Sequence, residues 1–433
     1  MSLYGALYTG VAGLAANSRA MGTTATNIAN INTVGYKGTK NEFSTLLASS
    51  SGVTSGATGG VKAVALPEIT QQGDLSQTSS STDLAISGQG FLVVTDSALT
   101  NPGVSELLYT RAGAFQKDAN GNLRNAGGYY LQGWALDANG NIPTNASDMT
   151  LVSLGQVTGT AQSTTTATLR ANLQSSTVSV AGYTAGDMNS GTVSPQFETS
   201  IEVYDSQGAA RPIRLAFIKS AANTWEYEAI YDGNAADIGG AGANPIATGT
   251  MTFNTDGTIA TPATPPTITI PFVVTSGLSP QDIDFNFGTA GVADGFTQFD
   301  TTSTLYGSTV NGTLFGGLNG VRVDERGYVV AQFNNGIEKR LYKLPVATFL
   351  NADGLGAING NAYISTVDSG GASFKSAGIG GAGSVSGQAL EQSTVDLAKE
   401  FSNMIVIQRA YSAASKIITT ADEMLDELTR LKR

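Results

Sequence analysis

Beginning at Ile407, apolar residues recur in a strict 3-4 alternation: Ile407, Ala410, Ala414, Ile417, Ala421, Met424, Leu428 and Leu431. Beside them runs a second row at sevenfold spacing: Leu390, Leu397, Met404, Tyr411, Ile418 and Leu425. A period of about 3.5 residues is the mark of one helix laid along another. Two adjacent rows make a face wider than a single partner helix covers. The pattern predicts a helix from about residue 391 to 430, ~60 Å long. Asp426 and Arg430 lie on its other side at a supportive i, i+4 spacing.

A second seam opens the chain. Leu7, Leu14, Met21 and Ile28 recur every seventh residue, and Val11, Ser18 and Ala25 fill the interleaved position. This helix should end near Asn30, where Asn27, Asn30 and Asn32 precede Thr33-Val34-Gly35, because Asn and Gly tolerate the left-handed exit from a helix. Apart from these two, the chain has no helix-forming segment, so the terminal helices are expected to pair as coiled-coil-like arms. With no other partner for their seams, the arms are expected to stay largely unfolded in a monomer.

Between the arms the chain reads as β-structure. Glycine is frequent (53 residues) and proline sparse (12), as in short strands joined by turns. Asp118-Ala-Asn-Gly-Asn-Leu123 and Asp137-Ala-Asn-Gly-Asn-Ile142 read as hairpin turns through Asn-Gly. Ile201 and Val203 alternate before the turn Asp205-Ser-Gln-Gly208, and Ile213, Leu215 and Phe217 alternate after it. Trp225, Tyr227, Ala229 and Tyr231 form one face of the next strand, with Glu226 and Glu228 outward. The expected fold is mainly β with long α-helical termini and nested β-domains between them. Residues 1–32 with 390–433 form a helical assembly domain, and 33–75 with 369–389 an extended connector. Residues 76–154 with 301–368 form a β-domain interrupted by a second, at 155–300. The Ser/Gly/Thr-rich stretches 48–60 and 369–388 read as linkers.

Histidine and cysteine are both absent. That removes imidazole acid–base chemistry, thiol nucleophiles and the usual zinc ligands. Paired carboxylates such as Asp232 and Asp237 lack the aromatic and polar surroundings of sugar chemistry. No catalytic residue, cofactor or metal is expected, and the chain is not read as an enzyme. Gly378-Ile-Gly-Gly-Ala-Gly383 has the spacing of a dinucleotide fingerprint but not its strand–helix context, so it reads as flexible linker. The net charge of −11 disfavours nucleic acid and anionic membrane as partners. No apolar run is long enough for a membrane span, and the N-terminus lacks the basic start of a cleavable signal peptide.

Two terminal segments resemble a known family. Asn27-Ile-Ala-Asn30-Ile-Asn32-Thr-Val-Gly35-Tyr36-Lys37 is similar to the N-terminal signature of the flagellar rod and hook proteins. The run from Gln408-Arg409-Ala-Tyr411 to Leu425 resembles their C-terminal signature, and Asp83–Leu92 and Tyr109–Phe115 match further stretches. The resemblance implies a self-assembling helical tube with terminal helices inside and β-domains outside. The insert at 155–300 favours the hook over the distal rod, which stays open as an alternative. A secreted adhesin or surface-layer protein is a third, less favoured reading, since it would not need paired terminal helices. Implied partners are further copies of itself, the flagellar rod, hook cap, hook–filament junction and hook-length-control proteins. Export through the type III apparatus, without cleavage, to an extracellular position at the hook is implied with them. The residues expected to carry assembly are Leu7, Val11, Leu14, Met21, Ile28, Leu397, Met404, Ile407, Tyr411, Ile417, Ile418, Met424, Leu425 and Leu428.

Overall fold

A computed structural model describes residues 3–47, 58–96, 107–137, 140–143, 148–155 and 157–431. Most of the 48–60 linker expectation therefore lies outside the described residues. Among the described residues three α-helices are present: α1 (Leu3–Ala29), the short α2 (Asp187–Ser190) and α3 (Leu397–Leu431). The chain divides into two compact units. One comprises residues 1–157, 320–332 and 338–433, and the other residues 158–319 and 333–337.

In the first unit, strand Phe91–Thr95 lies between Leu108–Thr110 and Tyr130–Ala135 and is buried along its whole length. Its side chains pack with Ile69, Tyr109, Trp134 and Tyr363 into one core. Tyr109 and Phe349 meet edge to face at 4.8 Å, the geometry the ring quadrupoles favour. The Asp118 turn is the expected hairpin, with Lys117 opposite Leu123 and the Asp118 carboxylate accepting from the Asn120 and Asn122 amides.

The connector expectation is corrected here. Strand Thr39–Leu47 pairs antiparallel with Thr58–Pro67 as a long hairpin, and Leu75–Gln77 pairs with Ala389–Glu391. Residues 369–388 are not a flexible linker either. Ser373–Ser376 pairs with Pro345–Thr348, and Ser384–Gly387 pairs with Leu84–Ser87. The glycines between them make a closed turn, in which the Gly378 amide donates to the Gly383 carbonyl at 3.0 Å. Gly378, Gly380 and Gly381 all take positive φ there, so this glycine run serves conformation rather than slack.

Helix α3 also starts later than expected. The Asp396 carboxylate accepts from the Ala398 and Lys399 amides at 2.8 and 3.1 Å, an N-cap that sets the first turn. Leu390 therefore sits on a strand and not in the helix. At 35 residues the helix is ~52 Å long.

The second unit is built from two sheets over one core. A five-stranded antiparallel sheet runs Phe197–Tyr204, Ala210–Ala221, Thr224–Tyr231, Ala247–Phe253, Ile259–Thr261. Ile201, Val203, Ile213, Leu215, Phe217, Trp225 and Tyr227 line its inner face, as the alternation predicts. They meet Leu169, Ile268, Ile283, Phe285 and Phe296 from strands of the other sheet. The unit extends past 300, because strand Thr304–Val310 pairs antiparallel with Thr166–Asn172. An insert ending at 300 would leave the latter strand without that partner.

One expectation about the outer face fails. Glu226 is half-exposed, but Glu228 is fully buried. A strap carrying Val180, Tyr183, α2 and Val193 covers this side of the sheet and packs on Ala216, Ile218 and Ile230. The Glu228 carboxylate accepts from the Tyr183 hydroxyl and from the amides of Gly186, Met188 and Asn189. Four donors replace the water that a buried carboxylate loses.

Candidate assembly surface

The arm is built from α1, α3 and the 39–67 hairpin. The two helices run antiparallel and close: Gly10 lies against Ile417 and Ile418, and Gly13 against Ala414. A Cβ added at Gly10 would stand 3.0 Å from the Ile418 side chain, so the approach depends on that glycine. The hairpin adds a second partner for α1, with the Asn41 amide donating to the Ala20 carbonyl at 3.3 Å. The terminal helices thus pair as expected, and the hairpin is a further partner that the sequence reading did not foresee.

The buried face of α1 is not the heptad of large residues. It is a stripe of small ones, Gly10, Ala16, Ala20 and Thr24, ending at Asn27. Leu7, Leu14, Met21 and Ile28 are only half-buried, and Val11 is 55% exposed. The reason is steric: two layers press on α1, and only short side chains let both approach. On α3 the face toward α1 combines parts of both rows. Ile407, Ala414 and Ala421 are buried, and Met404, Ile418 and Leu425 are half-buried.

Large apolar side chains are left in solvent on both flanks of that face. On one flank are Val406 (66% exposed), Ile417 and Met424; on the other are Leu397, Phe401 and Tyr411, with Ile405 beyond them. Tyr8, Phe43, Val64 and Leu66 add to the exposed set on α1 and the hairpin. Leu428 lies on α3, but its side chain falls outside the described residues. Sequence reasoning missed Phe401, Ile405 and Val406. The i, i+4, i+8 spacing of Leu397, Phe401 and Ile405 was the available signal.

The root of the arm is a buried ion cluster. Glu391 pairs with Lys37 at 2.5 Å and with Arg111 at 2.8 Å, all three side chains being at most 3% exposed. The Gly73 amide donates to the same carboxylate, Lys37 also donates to the Gln71 carbonyl, and Arg111 to the Gly88 carbonyl. Burial pulls the Lys37 ammonium below its usual range, while Glu391 opposes the shift. Gly35 takes φ +68°, and a Cβ there would lie 2.6 Å from the Arg111 carbonyl carbon. Its amide donates to the Glu391 carbonyl at 2.8 Å.

Asn27 is the second tie. Its side chain donates to the Thr39 carbonyl and to Glu400 of α3, and accepts from the Thr39 amide and the Tyr36 hydroxyl. Burial, with Glu400 nearby, pushes the Tyr36 hydroxyl upward. Asn30 closes the helix end by bonding Thr26 and Thr33, and Asn32 is exposed. Gln408 and Arg409 are exposed on α3, and neither side chain forms a hydrogen bond or ion pair among the described residues. Glu391 and Arg111 were not singled out from sequence, since only the fold brings positions so far apart together.

Comparison with known proteins resolves what such an arm belongs to. Four family models match in chain order. Residues 7–37 match Flagella basal body rod protein, and 85–159 match Flagellar hook protein FlgE/F/G D1 domain. Residues 172–313 match Flagellar basal body protein FlaE D2 domain, and 386–431 match Flagellar basal body rod FlgEFG protein C-terminal. Flagellar hook protein FlgE of Rhizobium meliloti is 35% identical, with all of both chains covered. The proteins of that name from Brucella melitensis and Caulobacter vibrioides are 33% and 32% identical, again over all of each chain. The chain belongs to the flagellar hook protein family.

It is a structural subunit of the bacterial flagellar hook. The rod alternative is not favoured by these relatives. The basal body rod match ends at Lys37, and the C-terminal rod match begins at residue 386, just before Glu391. Both therefore reach the ion cluster.

Proposed function

We propose that this hook subunit assembles through its helical arm into a flexible tube that transmits torque, and that its role is structural rather than catalytic. The observation that carries the reading is the set of large apolar side chains left in solvent on both flanks of α3. Exposed apolar surface of this kind is stabilised by association, at ~25 cal/mol per Å² removed from water. Non-closing, head-to-tail contacts between copies generate a helical filament. The β-units then form the outer layers, and their acidic, weakly apolar surfaces suit sliding during bending. Hook cap, hook–filament junction and length-control proteins are its further partners. Export by the type III apparatus without N-terminal cleavage completes the reading.

Electron microscopy of the purified full-length chain under polymerising conditions tests it. Curved tubes are expected. Sheets, or monomers that stay inert while the isolated fold is intact, would overturn it.

A further inference from the structure

The two exposed flanks of α3 differ in shape. Leu397, Phe401 and Ile405 are 41%, 48% and 51% exposed. Spaced four apart, they form a single raised row, the kind of ridge that packs into a neighbouring helix's groove. The other flank is concave. Between α1 and α3, Ala6, Ile417, Thr420, Ala421 and Met424 line an apolar groove of about 330 Å³, with Lys416 at its side.

Phe401 and Ile417 stand about 160° apart around the helix, so ridge and groove look in opposite directions. Their centres are also separated along α3, by ~29 Å. No single twofold contact can use both. Resting on the reading of the arm as the assembly surface, we infer that the Leu397–Phe401–Ile405 ridge of one copy seats in the Ala6–Ile417–Met424 groove of the next. The occupant of the groove is thus a second copy of this chain, staggered by roughly 29 Å along the helix. Each copy gives one ridge and receives one, so the contact is head-to-tail and does not close. The same repeated contact covers Leu397, Phe401 and Ile405 on one flank and Ile417 and Met424 on the other.

The chain has no cysteine, so introduced thiols report this pairing without background. Copies carrying both Phe401→Cys and Met424→Cys are assembled into tubes and treated with a short bis-maleimide. A ladder of covalent multimers on a denaturing gel is expected, with tubes of either single variant remaining monomeric. Leu397→Cys with Ile417→Cys repeats the test at the ridge and groove ends if the first pair impairs assembly. Tubes of the double variant that yield no ladder overturn the inference, as does cross-linking by Phe401→Cys alone, which means ridge meets ridge. The arm reading fails separately: normal tubes from Ile417→Asp copies would remove it altogether. If Ile417→Asp blocks tube formation while tubes of the double-cysteine chain give no ladder, the ridge–groove pairing alone is lost.

Discussion

Glu391→Gln should be the most damaging single-atom exchange at the root of the arm, and Lys37→Met a much milder one. The carboxylate is buried and serves two cations and the Gly73 amide at once. Its three-charge cluster carries one positive charge in excess. Removing the carboxylate leaves Lys37 and Arg111 together without a counter-ion, and the new amide group turns donor hydrogens toward one of them. Breaking a buried pair costs about 3–5 kcal/mol, and the shared partner places this case at the upper end. Removing Lys37 has the opposite electrostatic result, since Arg111 and Glu391 remain as a balanced pair at 2.8 Å. Burial already disfavours the Lys37 charge. What Lys37→Met forfeits is chiefly the donor to the Gln71 carbonyl, or about 1–2 kcal/mol.

Scanning calorimetry of the full-length monomer separates the two. At roughly 2–4 °C per kcal/mol, Glu391→Gln should lower the melting of the first unit by ~10–20 °C. Lys37→Met should lower it by only a few degrees. The transition of the second unit should stay in place for both variants. Equal losses, or a larger loss for Lys37→Met, would refute the charge argument and leave packing alone as the source of stability.

Three further outcomes are expected. Gly35→Ala forces a Cβ to within 2.6 Å of the Arg111 backbone at φ +68° and should cost about 2 kcal/mol or more in thermal melting; an unchanged melting point would contradict it. Ile418→Asp should lower the melting of the monomer, because Ile418 is half-buried and makes the closer approach to Gly10, whereas Ile417→Asp, at a side chain 48% exposed, should leave the monomer intact and block filament growth by an unpaired interfacial charge worth several kcal/mol. Buried hydroxyls at Tyr36, Tyr183, Tyr227, Tyr231 and Tyr363 are all raised by desolvation, so stability is complete below the unfolded tyrosine value of about 10 and falls as pH rises past it; a denaturation midpoint that is flat from about pH 8 to about pH 11 would contradict the assignment.

The existence of α1 and α3 was legible because heptad periodicity is a local property, read within one segment. Which face they bury was not, because the heptad rule weighs volume and α1 is squeezed from two sides. Gly10, Ala16 and Ala20 are chosen for what they lack, and Leu7, Leu14 and Met21 are pushed toward the periphery. The strands of the second unit were legible from alternation at Ile201, Val203, Leu215 and Phe217. Glu228 was not, since alternation tells which side a residue faces and nothing about a strap laid over that side. The 369–388 glycines misled for a related reason. Composition cannot distinguish glycine that leaves the chain free from glycine that fits a left-handed turn, as Gly378, Gly380 and Gly381 do.

The placement of the signature residues points to a division of labour between the two ends. Asn27, Gly35, Tyr36 and Lys37 spend their bonding capacity inside the chain, on Thr39, Glu400, Glu391 and Gln71. Gln408, Arg409 and Tyr411 spend none there and stand in solvent. The chain leaves α1 through Gly35 and approaches α3 through Glu391, and these two segments are hydrogen-bonded to each other at 2.8 Å. Arg111, from the β-core of the same unit, holds the same carboxylate. A force applied along either helix therefore meets a buried, charge-paired point on its way to the β-core, where no water is available to replace a lost partner. On the proposed reading, that arrangement lets contacts between copies on α3 be made and strained during bending while the root of the arm keeps its geometry.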